Sequence, residues 1–236
     1  MTLRKYVWQI ALAIGLCTGG QSVSASTLTS FDPGVLFPTF GCVIDWGCGV
    51  TNVSHDAHAA QTFVAPVSGT LQSIRLFGGA IQGGTVPLDV GIYRTIGGVP
   101  SSLPADLLGS VTKEVSSLPF EYPGDWYSVD FRALEIQLKA EESYSIVLTR
   151  QIYDGVSIAS WISTIDPYPG GNFFTKNAWQ GSGAPWNELV VFAPKHSDLA
   201  FAVDIFEVPE PSSAALVLFS IAAWRFSRGG RLVRRN

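Results

Sequence analysis

Apolar and polar residues alternate with a period of two along much of this chain, the spacing of a strand that buries one face. In Leu88-Asp89-Val90-Gly91-Ile92-Tyr93-Arg94 the positions 88, 90 and 92 share a face. In Ala200-Phe201-Ala202-Val203-Asp204-Ile205-Phe206 the same alternation leaves Asp204 on a solvated face. Further strand-like runs are Gln61–Val64, Leu71–Phe77, Trp126–Phe131, Tyr144–Thr149, Val156–Trp161 and Leu199–Phe206. Between them stand turn signals: Gly78-Gly79, Gly83-Gly84, Gly97-Gly98, Pro123-Gly124-Asp125 and Pro169-Gly170-Gly171. Many short strands without intervening helices predict an all-β fold built as a single antiparallel sandwich. Helical periodicity is confined to the two ends, which predicts an N-terminal signal helix and a short C-terminal hydrophobic helix.

The order of these strands resembles a jelly-roll module common in exported bacterial proteins. The resemblance rests on Gln61-Thr62-Phe63, Pro66–Ile74, the Val90–Tyr93 strand, Leu138–Leu148 and a closing Asp198-Leu199-Ala200-Phe201. It covers residues 61–207 and implies a jelly-roll-like sandwich there. A structural Ca²⁺ site is common in such folds, but the chain has no Asp-x-Asp-x-Asp run, so no ligands are assigned. Residues 26–60 have no counterpart in the module.

Composition supports a packed body: 236 residues, 47% hydrophobic and 14% charged, suit one globular domain and argue against disorder. The net charge of −4 is unevenly spread. Arg4 and Lys5 lie at the front and Arg225, Arg228, Arg231, Arg234 and Arg235 at the back. Between Asp32 and Glu207 eight basic residues stand against eighteen acidic ones. A surface so acidic lacks the basic footprint that phosphate binding needs, which excludes nucleic acid as a partner class.

The front, residues 1–25, has the layout of a signal peptide. Arg4 and Lys5 precede an apolar run from Tyr6 to Cys17, and Val23-Ser24-Ala25 sets small residues where a signal peptidase cuts, predicting cleavage after Ala25. The run is short of the ~20 residues that a spanning helix needs. Leu16 before Cys17 does not fit a lipoprotein site. Cys42 and Cys48 then remain, and an even pair in an exported chain predicts a disulfide closing a small loop in segment 26–60. Two thiolates without further partners are a poor zinc site.

The back, residues 208–236, has three parts. Val208-Pro209-Glu210-Pro211-Ser212-Ser213 is followed by an apolar run from Ala214 to Trp224 and then by the arginines. The prolines hold the first part extended, as a protease requires of its substrate. As a helix, Ser212 to Trp224 would measure about 20 Å, well under the ~30 Å hydrocarbon core. That length suits a transient membrane handle, with the arginines retained on the cytoplasmic side. This tail resembles the PEP-CTERM sorting signal read by exosortases in Gram-negative bacteria, in which Pro209-Glu210-Pro211 matches the signature triplet. Such tails are also grouped as an ice-binding protein C-terminal domain, a label that implies no activity. The resemblance implies signal peptidase and exosortase as processing partners, and transient insertion in the inner membrane. It further implies a final location at the cell surface or in the extracellular matrix, and a link to exopolysaccharide and biofilm.

The chemistry of the middle is sparse. There is no Gly-x-Ser-x-Gly elbow, no phosphate-binding glycine loop and no His-Glu-x-x-His. His55-Asp56-Ala57-His58 is the one His-rich cluster, and as a metal site it would need His196 or Asp198 folded beside it. It reads more simply as a polar loop before a strand, as Glu141-Glu142 reads as a turn. We therefore expect no catalytic residues, no metal ligands and no cofactor. A carbohydrate-active hydrolase or lyase would need two carboxylates facing across a cleft.

Tryptophans near turns carry the better signal. Trp126 and Trp161 read as core residues. Trp179 and Trp186 lie in a stretch rich in Gly, Ser, Asn and Pro, with Tyr168 nearby. Exposed indoles stack on the apolar faces of sugars while amides bind the hydroxyls. Trp179, Trp186, Tyr168, Asn177 and Asn187 are thus the candidate glycan-binding residues. The sequence favours a non-catalytic exported protein associating with exopolysaccharide. The alternatives are a structural surface protein making protein contacts alone and the carbohydrate-active enzyme.

Overall fold

The computed structural model describes residues 24–30, 48–80, 84–116, 125–152, 154, 156, 158–163, 168–177, 184–188 and 198–207. All but Ser24 belong to a compact unit that runs from Ala25 to Glu207. Both predicted terminal helices lie outside the described residues, apart from Ser24 and Ala25. Among the described residues no helix is long and apolar enough to cross a membrane.

The strands in chain order are β1 (Ala25–Thr29), β2 (Cys48–Val53), β3 (Ala57–Val64), β4 (Gly69–Ala80), β5 (Thr85–Ile96), β6 (Val99–Pro100), β7 (Leu107–Ser116) and β8 (Asp125–Asp130). They continue with β9 (Gln137–Leu138), β10 (Ser143–Thr149), β11 (Ile158–Ser163), β12 (Phe173–Asn177), β13 (Asn187–Glu188), β14 (Asp198–Leu199) and β15 (Phe201–Glu207). Single 3₁₀ turns at Pro104–Asp106 and Arg132–Leu134 complete the described elements. The all-β expectation holds.

These strands form two antiparallel sheets. The first, of eight strands, runs β1-β15-β4-β11-β14, with β2 on β11 and with β8 and β9 on β4. The second, of seven, runs β13-β12-β3-β10-β5-β6, with β7 on β5. Alternation along each strand sends one set of side chains into a shared core. Leu71, Ile74, Leu76, Val203 and Ile205 come from the first sheet, and Phe63, Leu88, Val90, Ile92 and Ile146 from the second, all fully buried in one cluster. Phe63 and Phe201, one from each sheet, set their ring centroids 6.2 Å apart. Burying each such side chain contributes about 1.5–3 kcal/mol.

Three departures from the sequence reading have physical causes. Gly78-Gly79, read as a turn, lies inside β4 and pairs with Ser160 and Ala159 of β11. Strands flank both edges there, since Gly78 also faces Asp125 of β8. β7 meets the core through Leu108, Val111 and Val115, whose uneven spacing among polar residues gives Leu107–Ser116 no period-two signal. Segment 26–60, which has no counterpart in the jelly-roll module, supplies β2 and all of β1 but Ala25 to the first sheet, and half of β3 to the second.

The Gly97-Gly98 turn is where it was expected, with φ of 61° and 81°. Both angles lie in the region glycine enters without strain, and they close the β5–β6 hairpin. At the other end of the unit β1 pairs β15 in antiparallel register, Ala25 opposite Phe206 and Thr29 opposite Ala202. Asp204 ties this corner together by accepting from Thr27 Oγ1 of β1 at 2.7 Å and Ser73 Oγ of β4 at 2.6 Å.

Candidate functional site

The outer face of the seven-stranded sheet holds the described part of the predicted glycan site. Thr175 of β12 pairs Asn187 of β13, which places Trp186, Asn187 and Asn177 at one corner. Asn177 and Asn187 are exposed, and Trp186 is half-buried. Trp179 lies outside the described residues. The structure therefore brings together three of the five predicted residues.

Tyr168 is not among them. Its ring meets Phe201 edge-on at 5.5 Å, and its hydroxyl accepts from Val64 N at 3.0 Å. Burial pushes its phenol above the ordinary value. Those contacts turn the side chain toward the interior, where it braces the loop against β3.

Trp186 is anchored from beneath. Lys176, next along β12 from Thr175, is buried with Nζ 5.6 Å from the indole centroid and donates to Ser102 Oγ at 3.2 Å. A cation over an indole is an attractive pair, stronger where water is excluded. Burial pulls the Lys176 ammonium below its usual value. His58 of β3 stands opposite Lys176 in register. Burial, then the Lys176 charge, lowers its imidazole below 6.5.

The floor of this face is small and apolar: Ala60, Val147 and Phe174, with Tyr93 and Trp186 packed against them. Gly91 lets the Tyr93 ring lie flat, since a Cβ there would stand 2.8 Å from Tyr93 Cε2. Two polar atoms are enclosed without a hydrogen-bond partner, Ser145 Oγ and Trp186 Nε1. The Trp186 indole is thus partly committed to packing, with its N–H turned away from solvent.

His55 and Asp56 form the turn before β3, 2.9 Å apart, and His58 lies in the strand rather than the loop. Asp198 is fully buried and accepts from Gln61 Nε2 and Tyr168 N, an interior role far from a surface metal site. His196 lies outside the described residues. Among the described residues no three His, Cys, Asp or Glu side chains group as metal ligands. Glu141 and Glu142 are exposed turn residues, as expected. Trp126, expected in the core, instead packs edge-on against Phe77 at 5.4 Å on a half-buried face. The side chain of Trp161 and the residue Cys42 lie outside the description.

The eight-stranded sheet carries a concavity that no sequence motif marks. Thr70, Gln72, Arg132, Glu135, Gln137 and Phe206 line a hollow of about 470 Å³. They come from β4, the second 3₁₀ turn and its end, β9 and β15. Residues so scattered form no motif, and each is common in exposed strands.

Comparison with protein-family models finds no match to this chain, and no curated protein matches it in sequence.

Proposed function

We propose that this chain is an exported, non-catalytic bacterial envelope protein, sorted by its tail and associating with extracellular polysaccharide. The observation that carries the reading is the order of three features: Val208-Pro209-Glu210-Pro211, an apolar run too short to be a comfortable permanent span, and an arginine cluster. The signal-like front and the acidic middle support it. Glu207, the last described residue, is paired with Gly69 and directly precedes Val208 in the sequence.

In this reading the two sheets close as a jelly-roll-like sandwich, with a Cys42–Cys48 disulfide formed after export. Signal peptidase and an exosortase are its processing partners, and membrane insertion through residues 214–224 is transient. The mature protein resides at the cell surface or in the matrix.

The test is processing. In an exosortase-bearing Gram-negative host the wild-type chain should appear as a shortened product outside the inner membrane. With Pro209, Glu210 and Pro211 all changed to Ala, the chain should keep its tail and stay in the inner-membrane fraction. Identical size and location of the two would sink the sorting reading.

A further inference from the structure

We infer that the hollow on the eight-stranded sheet is a binding groove for an uncharged, hydroxyl-rich chain, that is, a neutral polysaccharide. The inference deepens the proposed association with polysaccharide and rests on that reading for its biological setting. It assigns the contact to a hollow with no tryptophan in its lining, on the other sheet from Trp186.

The lining is held in place before any ligand arrives. Gln72 and Gln137 are both held by one residue, Gln72 Nε2 donating to Thr70 O at 3.2 Å and Gln137 Nε2 to Thr70 Oγ1 at 2.9 Å. Gln137 Nε2 also donates to Glu135 O at 3.2 Å. Pinning each amide by its nitrogen leaves its oxygen as an acceptor in a set position. Arg132 is likewise fixed, its Nε donating to Asp130 Oδ1 and Oδ2 at 2.9 and 3.0 Å and its Nη2 to Oδ2 at 2.5 Å. This fork holds the Asp130 carboxyl down at about 2 and leaves Arg132 Nη1 as a donor. Long side chains held in place before a ligand arrives lose less freedom on binding.

The lining also mixes apolar and polar surface. Phe206 is 45% exposed at the end of β15, an unusual state for a phenyl ring beside so many polar groups. A sugar offers an apolar C–H face and a rim of hydroxyls that both donate and accept. The ring suits the face, and the amides, Thr70 and Arg132 suit the rim. Charge selects against an anionic ligand. Arg132 is neutralised by Asp130, so the groove lacks the free cation that would select a uronate or a phosphate.

Gly69 keeps the groove in shape. A Cβ on it would stand 2.2 Å from Phe206 O, so β15 can close on β4 at this point because residue 69 is glycine. The β-bulge after Asp204 falls in the same stretch, shifting the register so that Phe206 faces Thr70.

The test uses the full chain, purified in detergent, in affinity electrophoresis through gels containing a soluble β-1,4-glucan, a galactomannan, a dextran or alginate. At least one neutral polymer should retard the wild type. Phe206→Ala should weaken that retardation about tenfold, and Gln137→Ala several-fold. Phe206→Tyr should restore it, separating loss of the ring from loss of the fold, and Leu103→Ala, exposed beside the first 3₁₀ turn and outside the lining, should match wild type. Retardation unchanged in Phe206→Ala but lost in Trp186→Ala would overturn the groove while sparing the polysaccharide reading. Retardation by alginate alone would overturn its neutral specificity. No retardation by any polymer would overturn both the groove and the polysaccharide association, leaving the sorting reading to its own test.

Discussion

Gln61 Nε2 donates to Asp198 Oδ1 at 2.9 Å, joining two fully buried residues of different sheets, 137 positions apart in the chain. The link is reinforced on each side: Leu199 N donates to Gln61 Oε1 at 2.7 Å, and Tyr168 N to Asp198 Oδ2 at 3.0 Å. Removing the carboxylate strands donors in a dry interior, where an unmet polar group costs far more than a surface one. Asp198→Ala should therefore lower stability by about 3 kcal/mol in urea unfolding, and Asp198→Asn by less. The Gln61→Ala, Asp198→Ala double mutant should fall short of the summed losses. Strict additivity would mean that the two residues do not act as a pair.

Arg150 is 1% exposed and fully engaged. Its Nε donates to Pro87 O at 3.2 Å, Nη1 to Val156 O, and Nη2 to Asp154 Oδ2 at 2.8 Å. It thereby staples the chain between β10 and β11 to β5. Arg150→Ala should cost about 3–5 kcal/mol, because it abandons buried carbonyls as well as an ion pair. Asp154→Asn should do much less, since that carboxylate is in contact with water. Equal losses for the two variants, read as urea midpoints, would contradict the staple.

The His58 imidazole, lowered by burial and by Lys176, has His55 and Asp56 as its other charged neighbours. The folded protein thus binds fewer protons at this site than the unfolded chain does. Stability should rise with pH through the window that ends near 6.5 and then level off. In melting curves from pH 5 to 8, His58→Gln should flatten that rise. A variant as steep as the wild type would place the titration elsewhere.

Gly69→Ala should destabilise the protein by about 2 kcal/mol or more, since a methyl at 2.2 Å from Phe206 O forces backbone apart. The same change should weaken polysaccharide retardation, because it moves Phe206. Wild-type melting and retardation in this variant would show that the β4–β15 approach is looser than described.

Local pattern carried much of the fold. Leu88, Val90 and Ile92 announced their common face, and all three are fully buried. A strand that covers the core only in part did not announce itself: Val115 of β7 is buried and Leu108 and Val111 pack beside it, but Thr112, Glu114 and Ser116 are exposed. Gly78 and Gly79 misled because a glycine pair is a turn signal by local conformation, whereas here strands on both edges of β4 decide. The candidate sites divide similarly. Trp186 was visible because tryptophan is rare and large, and its corner with Asn177 and Asn187 is real. Tyr168 looked alike in sequence, yet the hydrogen bond from Val64 N turns it inward. The groove around Phe206 was unreadable because it comes from the folding together of β4, β9 and β15.

The Ala25–Phe206 register has a mechanical consequence. Among the described strands β1 is the outermost of its sheet and runs antiparallel to β15, so the start of β1 and the end of β15 lie side by side. A pull through both chain ends would load the β1–β15 ladder one hydrogen bond at a time, as in opening a zipper, rather than shearing all its bonds together. β1 should peel away under small force while the β15–β4 pairing holds. A chain held at both ends by a membrane would then bare the edge of β15, and release of either end would let β1 snap back.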